Sequence, residues 1–219
     1  MRLFCRGAAE SSFRMSLYNA TFDSSSAAQP DMPLTASPLS ARIPLDAHWA
    51  QGFPPIENPC ARVLILGSMP GIASLRAGQY YAHPRNQFWP ILGAILGRDL
   101  VALSYPERVQ CLIDADIALW DVLQSCQRPG SLDADIAPDS IVANDFALFF
   151  SQHPALRHIF FNGCAAEQHF NARVRRVLEL PGLNVQRLPS TSPAHAALDF
   201  LAKLTAWRVV ADVIANTAA

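Results

Sequence analysis

The chain has 219 residues and a mass of 23.9 kDa, with 17 Lys plus Arg against 18 Asp plus Glu and a formal charge of −1. Hydrophobic residues make up 51% and charged residues only 16%, against about a quarter charged in ordinary globular proteins. This excludes a polybasic nucleic-acid arm, an acidic solvating tail and a wholly disordered chain. No apolar stretch approaches the ~18 uninterrupted residues of a membrane helix, so a soluble domain is expected. Sixteen of the basic residues are Arg and one, Lys203, is Lys. A genome-wide codon bias accounts for that choice, although guanidinium also suits bidentate contact with phosphate. Five scattered cysteines (Cys5, Cys60, Cys111, Cys126, Cys164) without a C-x-x-C pair read as reduced thiols of a cytosolic protein rather than metal ligands.

Segment 8–40 is rich in Ala, Ser and Pro, including Ser24-Ser25-Ser26, with little periodic apolar content. Residues 1–50 therefore read as a disordered or loosely attached extension, and 51–219 as the folded domain. Arg2 and Arg6 are followed by no apolar core, so a secretory signal is not expected; Met15 and Met32 are alternative starts. Gly52-Phe53-Pro54-Pro55-Ile56 is a stiff apolar segment at the domain edge. Arg62–Gly67 is a continuous apolar run, the mark of a strand buried on both faces, and 117–123, 158–163 and 184–188 repeat it. Helical patterns occupy 87–97, 106–114, 164–178 and about 193–216. The alternation predicts an α/β sandwich around a mostly parallel four-stranded sheet.

Such sheets bind ligands at the carboxyl ends of their strands. Small and hydrogen-bonding residues gather there: Ser68–Gly71, Asp121–Arg128, Asn162-Gly163 and Pro189–His195. The richest stretch is Gly67–Trp89. Its Gly67-Ser68-Met69-Pro70-Gly71 turn lets backbone N–H groups approach a ligand. Tyr80, Tyr81, His83, Arg85, Asn86, Phe88 and Trp89 follow within a few residues. Aromatic faces beside amide and guanidinium groups suit a flat heterocycle. Phe88 and Trp89, at a helix start, read as core.

Elsewhere the plain structural reading is preferred. His48, His153, His158 and His169 lack ligand spacing and read as surface or cap residues. Asp114, Asp116 and Asp121 flank a strand; Asp121 is within reach of the site, but a capping or structural carboxylate is the preferred reading. Arg173, Arg175 and Arg176 form a solvated helix face.

The run GSMPG…QYYAHPRNQFW resembles the first motif of the uracil-DNA glycosylase superfamily, closest to its hypoxanthine-DNA (deoxyinosine) glycosylase branch. Leu188–His195 resembles the loop after the fourth strand, and Phe160–Gly163 the third strand and its turn. The resemblance spans roughly residues 52–210. It implies a three-layer α/β/α domain, no metal and no cofactor. It further implies DNA with a deaminated base as partner, no membrane, a monomer, and a cytoplasmic, nucleoid-associated place in base excision repair. Carried over by position, Asn86 is the catalytic residue. Gly67, Ser68, Met69, Pro70, Gly71, Tyr81 and Asn162 hold the base, and His83, Arg85, Ser190, Thr191, Ser192 and His195 contact DNA. Uracil-excising relatives carry Asn or Asp where this chain has Met69, which cannot orient water well. Two alternatives follow: a mismatch-specific uracil/thymine glycosylase, or a non-catalytic binder of damaged bases.

Charge distribution agrees with a DNA partner. Ala61–Arg98 holds four Arg and no acid, Gly182–Leu198 holds Arg187 and no acid, and Asp114–Asp145 holds seven Asp and one Arg. A basic rim around the motifs with an acidic surface elsewhere is therefore expected, giving salt-sensitive binding.

Overall fold

The computed structural model describes residues 49–216. Most of the proposed extension, the alternative starts and His48 lie outside the described residues. In chain order the elements are β1 (Trp49–Gln51), β2 (Val63–Gly67), α1 (Ile72–Ala77), α2 (Phe88–Leu96), α3 (Tyr105–Asp114), β3 (Ile117–Asp121) and β4 (Leu123–Gln127). Then come β5 (Val142–Ala143), α4 (Phe146–Gln152), β6 (His158–Asn162), α5 (Cys164–Arg173), β7 (Asn184–Leu188) and α6 (Phe200–Asn216).

The four apolar runs pair in parallel in the order β3-β2-β6-β7, with Gly67 opposite Asp121 and Asn162 opposite Leu188. Every residue of β2 and β3 is buried. Leu64, Leu66, Ala118, Trp120, Ile159 and Phe161 face one side, where Phe146 and Phe149 of α4 and Phe170 of α5 cover them. Val63, Ile65, Ile117, Leu119 and Phe160 face the other, beneath α2, α3 and α6. Removing each of these large side chains from water contributes roughly 1.5–3 kcal/mol. The result is the three-layer α/β/α arrangement expected.

Some boundaries differ from the sequence reading. Leu123–Gln127, expected to finish a strand and open a loop, forms β4 of a second, antiparallel sheet in the order β1-β4-β5. Trp49 and Ala50, assigned by composition to the extension, belong to that sheet. α6 begins at Phe200 rather than 193 because Asp199 Oδ1 accepts the Ala202 N–H at 2.8 Å and caps it. α5 ends at Arg173, short of 178: Arg175 N–H bonds Phe170 O, a wider loop than the helical one. Cys111, Cys126 and Cys164 are free thiols, and Cys5 lies outside the described residues. No helix among the described residues is long and apolar enough to cross a membrane.

Candidate active site

The carboxyl ends of β2, β3, β6 and β7 open on one cleft of about 160 Å³. Its walls are Gly67–Gly71 after β2, Asp121 ending β3, Asn162 ending β6, and Ser190, Ser192 and Pro193 after β7. Tyr80, Tyr81, His83 and Asn86 between α1 and α2, and Ser131 and Asp133 beyond β4, complete them. The two motifs far apart in sequence therefore share one cavity.

Local chemistry explains how the walls are held. Trp89 Nε1 donates to Tyr80 O at 3.0 Å, and the Tyr80 hydroxyl to Pro54 O at 3.2 Å, fixing the segment before α2 to the core. Tyr81 has a positive φ of 54° and stacks on the buried Phe88 ring at 4.0 Å. Phe88 and Trp89 are core residues, as expected. Asn86 Oδ1 accepts the Phe88 N–H at 3.0 Å and so starts α2. Its acceptor is engaged by the helix, and the group it has to offer a ligand is its amide N–H₂.

The loop after β7 is clamped from three sides. Thr191 is fully buried; its hydroxyl accepts from Asn162 Nδ2 at 2.9 Å, and its N–H donates to Asn162 Oδ1 at 2.8 Å. Its carbonyl accepts the Gln87 N–H at 3.0 Å, which ties the two motifs together. Trp207 of α6 donates from Nε1 to Pro189 O at 2.9 Å. At Gly163 the φ of 100° and the approach of Ser190 Cβ, 2.8 Å from where a Cβ would sit, leave room only for glycine. Ser190 and Ser192 line the cleft, whereas Thr191 is a buried tie beneath them. Arg85 is exposed outside the cleft, and His195 also stands outside it, its carbonyl accepting from the buried Lys203 Nζ at 2.8 Å.

Asp121, read from sequence as a cap, is in the cleft wall instead. It is only 3% exposed, and its Oδ2 has no hydrogen-bond partner among the described residues. Burial, then the charge of Asp133, push its pKa up to about 7 against the opposing pull of Arg128. Among the described residues the buried Tyr81 hydroxyl has no partner in good hydrogen-bond geometry, although the Asn162 side chain stands beside it. Burial and then Asp121 hold its pKa above the ordinary phenol value, with Asn162 beside it working the other way. A Cβ on Gly67 would run into Asp121 Oδ1 and lie 2.9 Å from Tyr81 Oη, so the absence of a side chain there makes the cradle.

The acidic segment is not remote from the motifs. Ser68 Oγ donates to Asp133 Oδ1 at 2.8 Å, and the buried Arg128 donates to Pro70 O and stands 3.7 Å from Asp133. The antiparallel sheet folds residues 128–135 over the first-motif loop, which corrects the expectation of acidic charge elsewhere. Sequence order conceals this, because β5 has only two residues and the buried positions of β4 do not alternate regularly. Among the described residues no group of three His, Cys, Asp or Glu side chains is placed to hold a metal ion.

The family described as the uracil DNA glycosylase superfamily matches residues 54–211. A hypoxanthine DNA glycosylase of Methanosarcina barkeri is 37% identical over 145 residues, 66% of this chain and 87% of that protein. One of the same name from Methanosarcina acetivorans is 36% identical over the same shares. A solution NMR structure from Methanosarcina acetivorans, described in terms of uracil DNA glycosylase, superposes with a TM-score of 0.65 at 32% identity. The match covers 76% of this chain and 99% of that one.

Proposed function

The chain belongs to the uracil DNA glycosylase superfamily, and from that membership we propose that it is a monofunctional DNA glycosylase releasing a flipped-out deaminated base, hypoxanthine first. The observation that carries this reading is the meeting of the first-motif segment and the β7 loop around one cleft, tied through Gln87, Thr191 and Asn162. The two relatives named for hypoxanthine support the base assignment.

A base must leave the duplex stack to reach such a cleft and is then held by stacking and edge hydrogen bonds. Tyr81, backed by Phe88, supplies the aromatic surface. The Ser68–Gly71 backbone and Asn162 supply polar contacts around the base. Cleavage of the N-glycosidic bond passes through a sugar with oxocarbenium character while negative charge grows on the base. Asn86 is the catalytic residue: its N–H₂ orients water and donates to the departing purine. Ser190, Ser192, His83 and Arg85 contact the DNA strand, whereas Thr191 and His195 act as structural ties. The enzyme works as a monomer in the compartment that holds the chromosome, and its chemistry draws on no metal or cofactor.

The test is an oligonucleotide panel carrying deoxyinosine, uracil or a G·T mismatch, incubated with protein and then treated with alkali. Strand breaks at deoxyinosine above the other two are expected. Breaks confined to uracil or G·T assign the mismatch activity instead. Tight binding without breaks on any substrate assigns a non-catalytic binder, the reading that Met69 in place of a polar residue would favour.

A further inference from the structure

The single lysine among 17 basic residues has no part in the scheme above. Lys203 stands in the first turn of α6 and is only 2% exposed, and burial holds its pKa below the ordinary lysine value. Among the described residues no carboxylate lies within ion-pair distance of it; Asp199, one turn earlier, directs its carboxylate to the Ala202 N–H. A buried charge without a counter-charge costs free energy that an apolar side chain of the same length would not. The bond from Nζ to His195 O at 2.8 Å offsets part of that cost but supplies no anion.

The loop that Lys203 holds is gripped at its other end as well. One turn further along α6, Trp207 Nε1 donates to Pro189 O, so residues 189–195 hang from one face of the helix by two carbonyls. A trans peptide sets its C=O and N–H on opposite edges. With the His195 carbonyl turned in to Lys203, the Ala196 N–H is turned out, at an exposed residue, and among the described residues it has no partner. A cation on the carbonyl polarises the peptide and strengthens that N–H as a donor. Gly182–Leu198 holds no acid to compete for it. We propose that Lys203 and the His195–Ala196 peptide form a phosphate site: the Ala196 N–H donates to one backbone phosphate of the bound DNA strand, and the buried ammonium stands behind it as counter-charge. Lys203 is a positioning residue, touching the peptide and not the strand. A compact ammonium fits beneath a loop as a point charge, where a planar guanidinium fork does not. This rests on the glycosylase reading and adds to it one fixed phosphate outside the cleft.

The experiment is filter binding of a duplex carrying 2′-fluoro-deoxyinosine, whose fluorine protects the glycosidic bond, across about 50–200 mM salt. It compares the wild type, Lys203→Met and Ala196→Pro, the last of which removes the N–H and leaves the lysine in place. A parallel set of duplexes each carries one neutral methylphosphonate linkage beside the lesion. The wild type is expected to lose roughly tenfold in affinity at one linkage. Lys203→Met should bind the all-phosphate duplex roughly tenfold more weakly, with a salt dependence reduced by about one counterion, and be indifferent to that linkage. Ala196→Pro should be indifferent to the same linkage, and it decides the matter if Lys203→Met does not fold. Wild-type affinity and salt dependence in Lys203→Met overturn the assignment alone. So does a variant that binds weakly but keeps the wild-type response to every linkage, since a purely structural tie would behave in that way. A wild type that does not bind the duplex overturns the glycosylase reading and this one with it.

Discussion

Asp121 makes a prediction about stability that needs no substrate. Moving a buried carboxyl from its ordinary 3.8 to about 7 raises the cost of its ionised form by about 4 kcal/mol, at 1.36 kcal/mol per pH unit. The sign follows from proton counts. Between these two values the unfolded chain has released the Asp121 proton and the folded chain has kept it, so stability falls as pH rises. Above pH 7 both states are ionised and the full penalty remains. From roughly pH 5 to 8 the loss is about 2–3 kcal/mol. Asp121→Asn removes the titration and keeps the shape. Urea unfolding of both proteins across that range is the assay, and the variant's advantage over wild type should grow by about 2–3 kcal/mol from pH 5 to 8. An advantage that is constant with pH, or that shrinks, means Asp121 is ionised with a satisfied partner, and the reasoning about its neutral form fails.

Asn86 separates two tasks. Asn86→Ala loses the bond to Phe88 N–H and should cost about 1 kcal/mol of stability, with base release down about 100- to 1,000-fold. Asn86→Asp keeps the acceptor at the helix start, so the urea midpoint recovers while base release stays low; wild-type rates in that variant refute a donor role. Gly67→Ala should cost about 1–3 kcal/mol and at least tenfold in base release, because Asp121 and Tyr81 must move to admit a Cβ. Thr191→Val leaves the Asn162 amide without its hydroxyl acceptor and should lower stability by about 1–2 kcal/mol in urea unfolding. Arg85→Ala, at an exposed position, should leave the urea midpoint unchanged and reduce the salt dependence of DNA binding by about one counterion in filter binding.

The parallel sheet was legible because β2 and β3 are buried on both faces and so read as unbroken apolar runs. The second sheet was not. Strands of three and two residues, such as β1 and β5, carry no period, and the exposed and buried positions of β4 do not alternate regularly. The start of α6 was obscured by the apolar and small residues after His195, although Asp199 three residues before Ala202 was the signal for its cap. The first motif and the β7 loop stood out by composition, and their meeting follows from strand order alone. Which face a residue turns does not: Thr191 lies in the same serine-rich loop as Ser190 and Ser192 yet points inward to Asn162. Asp121 was hidden for a related reason. A carboxylate beside a strand end is ordinarily a solvated cap, and only the pairing of β3 beside Gly67, with residues 128–135 folded over it, removes its water.

Central to the account is hydrolysis of one N-glycosidic bond without strand cleavage. The direct measurement is single-turnover incubation of the protein, in the presence of a chelator, with a deoxyinosine duplex, followed by chromatography of the small-molecule fraction and a denaturing gel run without alkali. Free hypoxanthine in equal amount to abasic sites, with an intact strand, is the predicted result. Absence of free base, or a strand broken before alkali is added, would contradict it.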